Sequence, residues 1–141
     1  MYKSLPGNLI FNNSRLKVVY DKQCRVNKTK SAIIISGTRG GFLSLSNIIL
    51  FQVNNLEQEI RLHDISFIET SIKFIIKIDN KIELEGGQIH RDDGGVFIWN
   101  ISEGEADHVA ASIHSLGHIN SELHLDQNKT LNDLSVYCVV E

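Results

Sequence analysis

Short β-rich runs fill most of this chain, and they restrict its fold more than any other feature. Arg15 to Tyr20, Ser31 to Ser36 and Asn47 to Val53 are rich in Val, Ile, Leu and Tyr and are separated by polar loops. Glu59 to Ile68 alternates through Ile60 and Leu62, then through Ile65 and Phe67. The phase slips at His63-Asp64, which predicts a bulge there. Only one proline, Pro6, is present to interrupt regular structure. Ile is abundant and Met occurs once, a balance that favours strands over long helices.

The next pair can be put in register from side-chain alternation alone. Ile72, Phe74, Ile76 and Ile78 form one face of a strand, and Ile82 and Leu84 answer on the return. A three-residue loop at Asp79-Asn80-Lys81 pairs Ile78 with Ile82 and Ile76 with Leu84. A two-residue turn would instead set Ile78 against Lys81 and bury charge, so the longer loop is expected. A second turn, Asp92-Asp93-Gly94-Gly95, leads into Val96 to Ile101, apolar on both faces for most of its length. That strand belongs inside a sheet. Two more strands are expected near Ser121 to Leu125 and Leu134 to Val140.

One helix is signalled clearly, over about 103–116. Ser102 and Glu105 have the spacing of a capping box, and Glu103, Glu105 and Asp107 load the first turn with acid. Ala106, Val109, Ala110, Ile113 and Leu116 form its buried stripe, and Gly117 sits where a left-handed cap would end it. The expected class is therefore α+β: a mainly antiparallel curved sheet or sandwich of about eight strands with one helix packed on it. At 141 residues the chain is expected to be a single domain, 1–141, burying roughly two thirds of its unfolded surface. No segment has signal-peptide or membrane-span character, so a cytoplasmic protein is expected.

Charge is split by position. Residues 1–55 carry eight Lys and Arg against the single acid Asp21, a net +7. Residues 56–141 carry six Lys and Arg against sixteen acids, a net −10. Most of the positive charge lies in one window: Arg15, Lys17, Lys22, Arg25, Lys28, Lys30 and Arg39. Such asymmetry points to a charged partner, unless the basic strands lie beside acidic ones and neutralise them.

Signals for catalysis are fragmentary. His114 and His118 have the i, i+4 spacing of two metal ligands on a helix, but Gly117 separates them from one continuous helical face. No metal and no cofactor is expected. His90-Arg91-Asp92 matches the start of a kinase catalytic loop and then departs from it at Asp93-Gly94-Gly95. Gly37-Thr38-Arg39-Gly40-Gly41 could cradle a phosphate with Arg39 as countercharge, yet it lacks the P-loop spacing and reads better as a turn between strands. Cys24 and Cys138 fit no zinc or redox spacing and are read as buried or idle thiols, with a disulfide as the lesser alternative.

With no assembled catalytic set, the chain is expected to be a binding protein and not an enzyme. Its interface would use Glu83, Glu85, Asp92, Asp93, Glu103, Glu105 and Asp107, gathered into one negative patch that steers a basic protein toward it. In this acidic run, and in its Ile-, Asn- and Lys-rich composition, the chain resembles the small immunity proteins that neutralise bacterial toxins. The resemblance is one of character; it implies occlusion of a basic, nuclease-like toxin by an acidic surface. Two alternatives stand beside it. One is a nucleic-acid-binding domain using the basic segment 15–39, with Tyr20 and Phe42 available for stacking. The other is a small enzyme built from His90 and Asp92, or from His63 and Asp64.

Overall fold

The structure is a computed structural model and describes residues 9–21, 31–54, 59–79, 88–92, 94–116, 122–124 and 134–141. In chain order its elements are β1 (Leu16–Asp21), β2 (Ser31–Gly37), α1 (Arg39–Asn54), β3 (Glu59–Arg61), a 3-10 turn (Leu62–Asp64) and β4 (Ile68–Thr70). Then come β5 (Phe74–Ile78), β6 (Gln88–Arg91), β7 (Phe97–Ile101), α2 (Glu103–His114), β8 (Glu122–His124) and β9 (Leu134–Val140). The α+β class holds, and the finer expectation is corrected. The nine strands among the described residues form two mixed sheets, ordered β4-β1-β2-β9-β8 and β3-β5-β7-β6.

Parallel pairing is what period-2 alternation could not reveal. β1 runs parallel to β4, β2 to β9, and β5 to β7, while the other four ladders are antiparallel. Alternation identifies which face of a strand is buried; it carries no information on the direction of its neighbour. The expected pairing of Ile76 with Leu84 falls for this reason. Leu84 lies outside the described residues, but Ile76 is already flanked by Ile60 on β3 and Trp99 on β7. No edge of β5 remains there for a hairpin.

The phase slip at His63-Asp64 has a larger meaning than a bulge. Here the chain leaves one sheet for the other: Ile60 pairs in the four-stranded sheet and Ile68 pairs with Leu16 in the five-stranded one. The 3-10 turn between them is fixed against β5, because His63 Nδ1 accepts the Phe74 N–H at 3.3 Å.

A second helix replaces the strand expected at Asn47 to Val53. Phe42, Leu45, Ile48, Ile49 and Val53 of α1 are buried in the core. That core is continuous and draws on both sheets and both helices, with Val18, Ile33, Ile35, Phe74, Trp99, Val109 and Ile113 among its members. Trp99 is fully buried on β7, an inner strand, as the apolar run around it implied. The two helices pack side by side, and Ser46 Oγ of α1 donates to the Ala110 carbonyl of α2 at 2.8 Å. No helix among the described residues is long and apolar enough to cross a membrane.

Candidate partner-binding surface

The best-formed acidic feature is the start of α2, and its own residues build it. Ser102 stands just before the helix in an extended conformation, and its hydroxyl accepts the Glu105 N–H at 3.1 Å. This satisfies one of the amides that a helix start leaves without a partner, and the adjacent acids complement the positive end of the helix dipole. Ala106, Val109, Ala110, Ile113 and Leu116 are all buried, so the acids are directed by the packing of the opposite face. Glu103 and Asp107 are exposed, and Glu105 is half-buried. At about 100° per residue, Glu103, Asp107 and His114 lie on the flank of α2 next to Ala110, which is the flank facing α1. Glu105 lies on the far flank. No Lys or Arg occurs between Glu103 and His114.

Asp79 joins this end of the sheet, which sequence reading missed. Its N–H donates to the Ile101 carbonyl at 2.7 Å, one residue before the cap of α2. The signal for it is the parallel β5–β7 ladder, in which Ile78 stands opposite Ile101. Nothing in the residue pattern announces that ladder.

Asp92 is elsewhere. It closes the turn between β6 and β7, where its carboxylate accepts the N–H groups of Gly94 and Val96, both at 2.9 Å. Its own N–H donates to the Val96 carbonyl. Val96 and Ser102 sit at opposite ends of β7, six residues apart, or about 20 Å along the strand. Screening at physiological salt acts over about 8 Å, so Asp92 and the α2 acids stand too far apart to form one patch. Glu83, Glu85 and Asp93 lie outside the described residues.

The basic window is also divided. Lys22, Arg25, Lys28 and Lys30 lie outside the described residues. Arg15 and Lys17 line a shallow groove of about 250 Å³ with Glu69 and Glu141, and Lys17 stands directly beside Glu69 in the β1–β4 ladder. Here basic and acidic strands do lie side by side. Neither aromatic proposed for stacking presents a bare ring. Phe42 is fully buried, and Tyr20 packs against Phe97 with ring centroids 4.9 Å apart while the Arg91 guanidinium sits over both rings.

Segment 37–41 runs from the end of β2 through Thr38 into the first residues of α1 and is not a turn between strands. Thr38 Oγ1 accepts the Gly41 N–H at 3.1 Å and the Arg15 N–H at 3.1 Å, and it donates to the Asn13 carbonyl. The glycines make room for the chain's own backbone. A Cβ on Gly40 would lie 2.7 Å from the Asn12 carbonyl oxygen, and one on Gly41 would lie 2.7 Å from that of Arg15. The backbone of residues 12–15 packs directly against these glycines.

The histidines and aspartates of the two candidate pairs make local contacts within the fold. His63 anchors its turn to β5, with Nε2 3.9 Å from Asp64 Oδ1. His90 Nδ1 lies 3.3 Å from Asn100 Nδ2 across the β6–β7 ladder, while Asp92 is held by the turn amides. Among the described residues, no group of three or more His, Cys, Asp or Glu converges as a metal site would. His118 lies outside them. Cys138 is fully buried, and burial pushes its thiol far up, which leaves it protonated and poorly nucleophilic. Cys24 lies outside the described residues. Comparison with protein-family models, with curated proteins and with solved structures found no match.

Proposed function

We propose that this protein is a binding protein of the immunity type, which neutralises a basic, nuclease-like bacterial toxin by covering it with an acidic surface. The observation that carries the reading is the exposed flank of α2. Glu103 and Asp107 stand there on a rigid, capped helix, and neither the helix nor its border with α1 carries a Lys or Arg after Arg39. Acidic side chains held on one flank of a capped helix speed the approach of an oppositely charged protein and disfavour wrong partners. The Asp79 backbone is bonded at the same end of the sheet, through its N–H to the Ile101 carbonyl. Asp92, Glu105 and the acids at 83, 85 and 93 belong to the wider proposal, with Glu103 and Asp107 as its centre. The chain acts by occlusion, without catalysis of its own, and the cytoplasm is its proposed setting.

The test is a tagged pull-down from a lysate of the source organism, with and without nuclease, using the native chain and the Glu103→Lys/Asp107→Lys double variant. A basic protein that survives nuclease, leaves at high salt and is lost by the double variant supports the reading. Inhibition of that protein's activity by stoichiometric addition of the chain would complete it. Nucleic acid captured with no protein partner would transfer the function to the basic segment 15–39.

A further inference from the structure

The described residues expose three large hydrophobic side chains, and all three lie on one part of the surface. Phe11 is 48 % exposed, and Ile10 and Leu50 are each 36 % exposed. Ile10 and Phe11 belong to a segment laid along α1: Asn47 Nδ2 donates to the Leu9 carbonyl at 3.2 Å, and the Phe11 N–H donates to Ser44 Oγ at 2.8 Å. Ser14 Oγ reaches the same Ser44 hydroxyl at 2.7 Å, so the segment is pinned and not merely adjacent. On α1 itself, Leu43, Asn47, Leu50 and Asn54 fall within about 60° of one another at helical spacing. They form its outward stripe, while Gln52 on the opposite side is buried. Ser46, which meets α2, lies on one flank of the stripe, and Ser44, which meets the 9–14 segment, lies on the other.

The stripe is therefore framed. Phe11 and Ile10 border it on one side; Glu103, Asp107 and His114 of α2 border it on the other. From Gly40 to Asn54 the helix has no ionisable residue at all. An apolar centre with a charged rim is the usual anatomy of a protein interface, where the centre supplies most of the affinity and rim charges act on approach.

We infer that Phe11, Leu43 and Leu50 form the apolar centre of the partner contact and that the α2 acids are its rim. This rests on the reading proposed above. The occupant is a basic protein that presents an apolar projection ringed by Lys and Arg. Charge decides against a second copy of this chain, since a two-fold contact through the stripe would bring two acidic rims onto one patch. The stripe and the rim have separate consequences. Removing the apolar centre speeds dissociation, whereas removing the acids slows association and flattens its salt dependence.

The experiment uses the basic protein recovered in the pull-down, purified, with Phe11→Ser and Leu50→Ser made separately in the full chain. Both substitutions are at exposed positions, and melting curves check that the fold is kept. The expected result is dissociation faster by about tenfold for each variant, with association rate and its salt dependence little changed. Unchanged dissociation in both, alongside slowed association by Glu103→Lys/Asp107→Lys, overturns this inference and leaves the functional reading in place. Failure to recover any basic protein removes that reading and this inference together. A concentration-dependent dimer in sedimentation velocity, abolished by Leu50→Ser, would assign the stripe to a second copy and also overturn it.

Discussion

At the start of α2 the chain places Ser102 as a cap and follows it with acids, so the helix satisfies its own first turn. At the start of α1 it places Gly40 and Gly41, two of the poorest helix formers, with no acid in the first turn. The first helix exists because of what surrounds it. Thr38 ties its beginning to Asn13 and Arg15, Ser44 holds the segment at Phe11 and Ser14, and Ser46 bonds to α2. One helix is stabilised locally and the other by distant parts of the chain. The comparison teaches that a segment's own propensity is a weak guide once most of its surface is buried.

Substitutions in the two helices can break this contrast. The largest effect is expected from Phe42→Ala, which empties a fully buried site where α1 meets the core. About 3–5 kcal/mol should be lost in urea unfolding, and a loss near 1 kcal/mol would mean that α1 is not held by packing.

The two caps give the sharpest comparison. Thr38→Ala removes an α1 cap and also two bonds to the 13–15 segment, so about 2–3 kcal/mol should go, while Thr38→Ser should restore most of it. Ser102→Ala removes a cap alone and should lose about 1 kcal/mol. Equal losses at the two positions would show that the segment before β1 contributes nothing to α1, and the contrast would collapse.

Much of the molecule was legible in its residues. The strands at 16–21, 31–37, 97–101 and 134–140, the buried Trp99 and the whole of α2 follow from alternation, apolar runs and one capping signal. Helix α1 was not legible. Its Ile-rich stretch has strand propensity, its stripe is blurred by burial on most sides, and its glycines answer to a backbone from residues 12–15. The acidic site was half legible. Glu103 and Asp107 could be placed on a helix from their spacing. That Asp79 joins them while Asp92 stands at the other end of β7 depends on the direction of strands.

What the sequence by itself determined is local: which residues alternate, which cap a helix, and which side chains must leave water. These are interactions among neighbours a few positions apart, and they are written in order along the chain. Only the tertiary structure decided the pairing directions, the passage of the chain between sheets at Leu62–Asp64, and the meeting of α1 with α2. Those choices depend on contacts between residues tens of positions apart. Their energy comes from area buried jointly, which no single segment records.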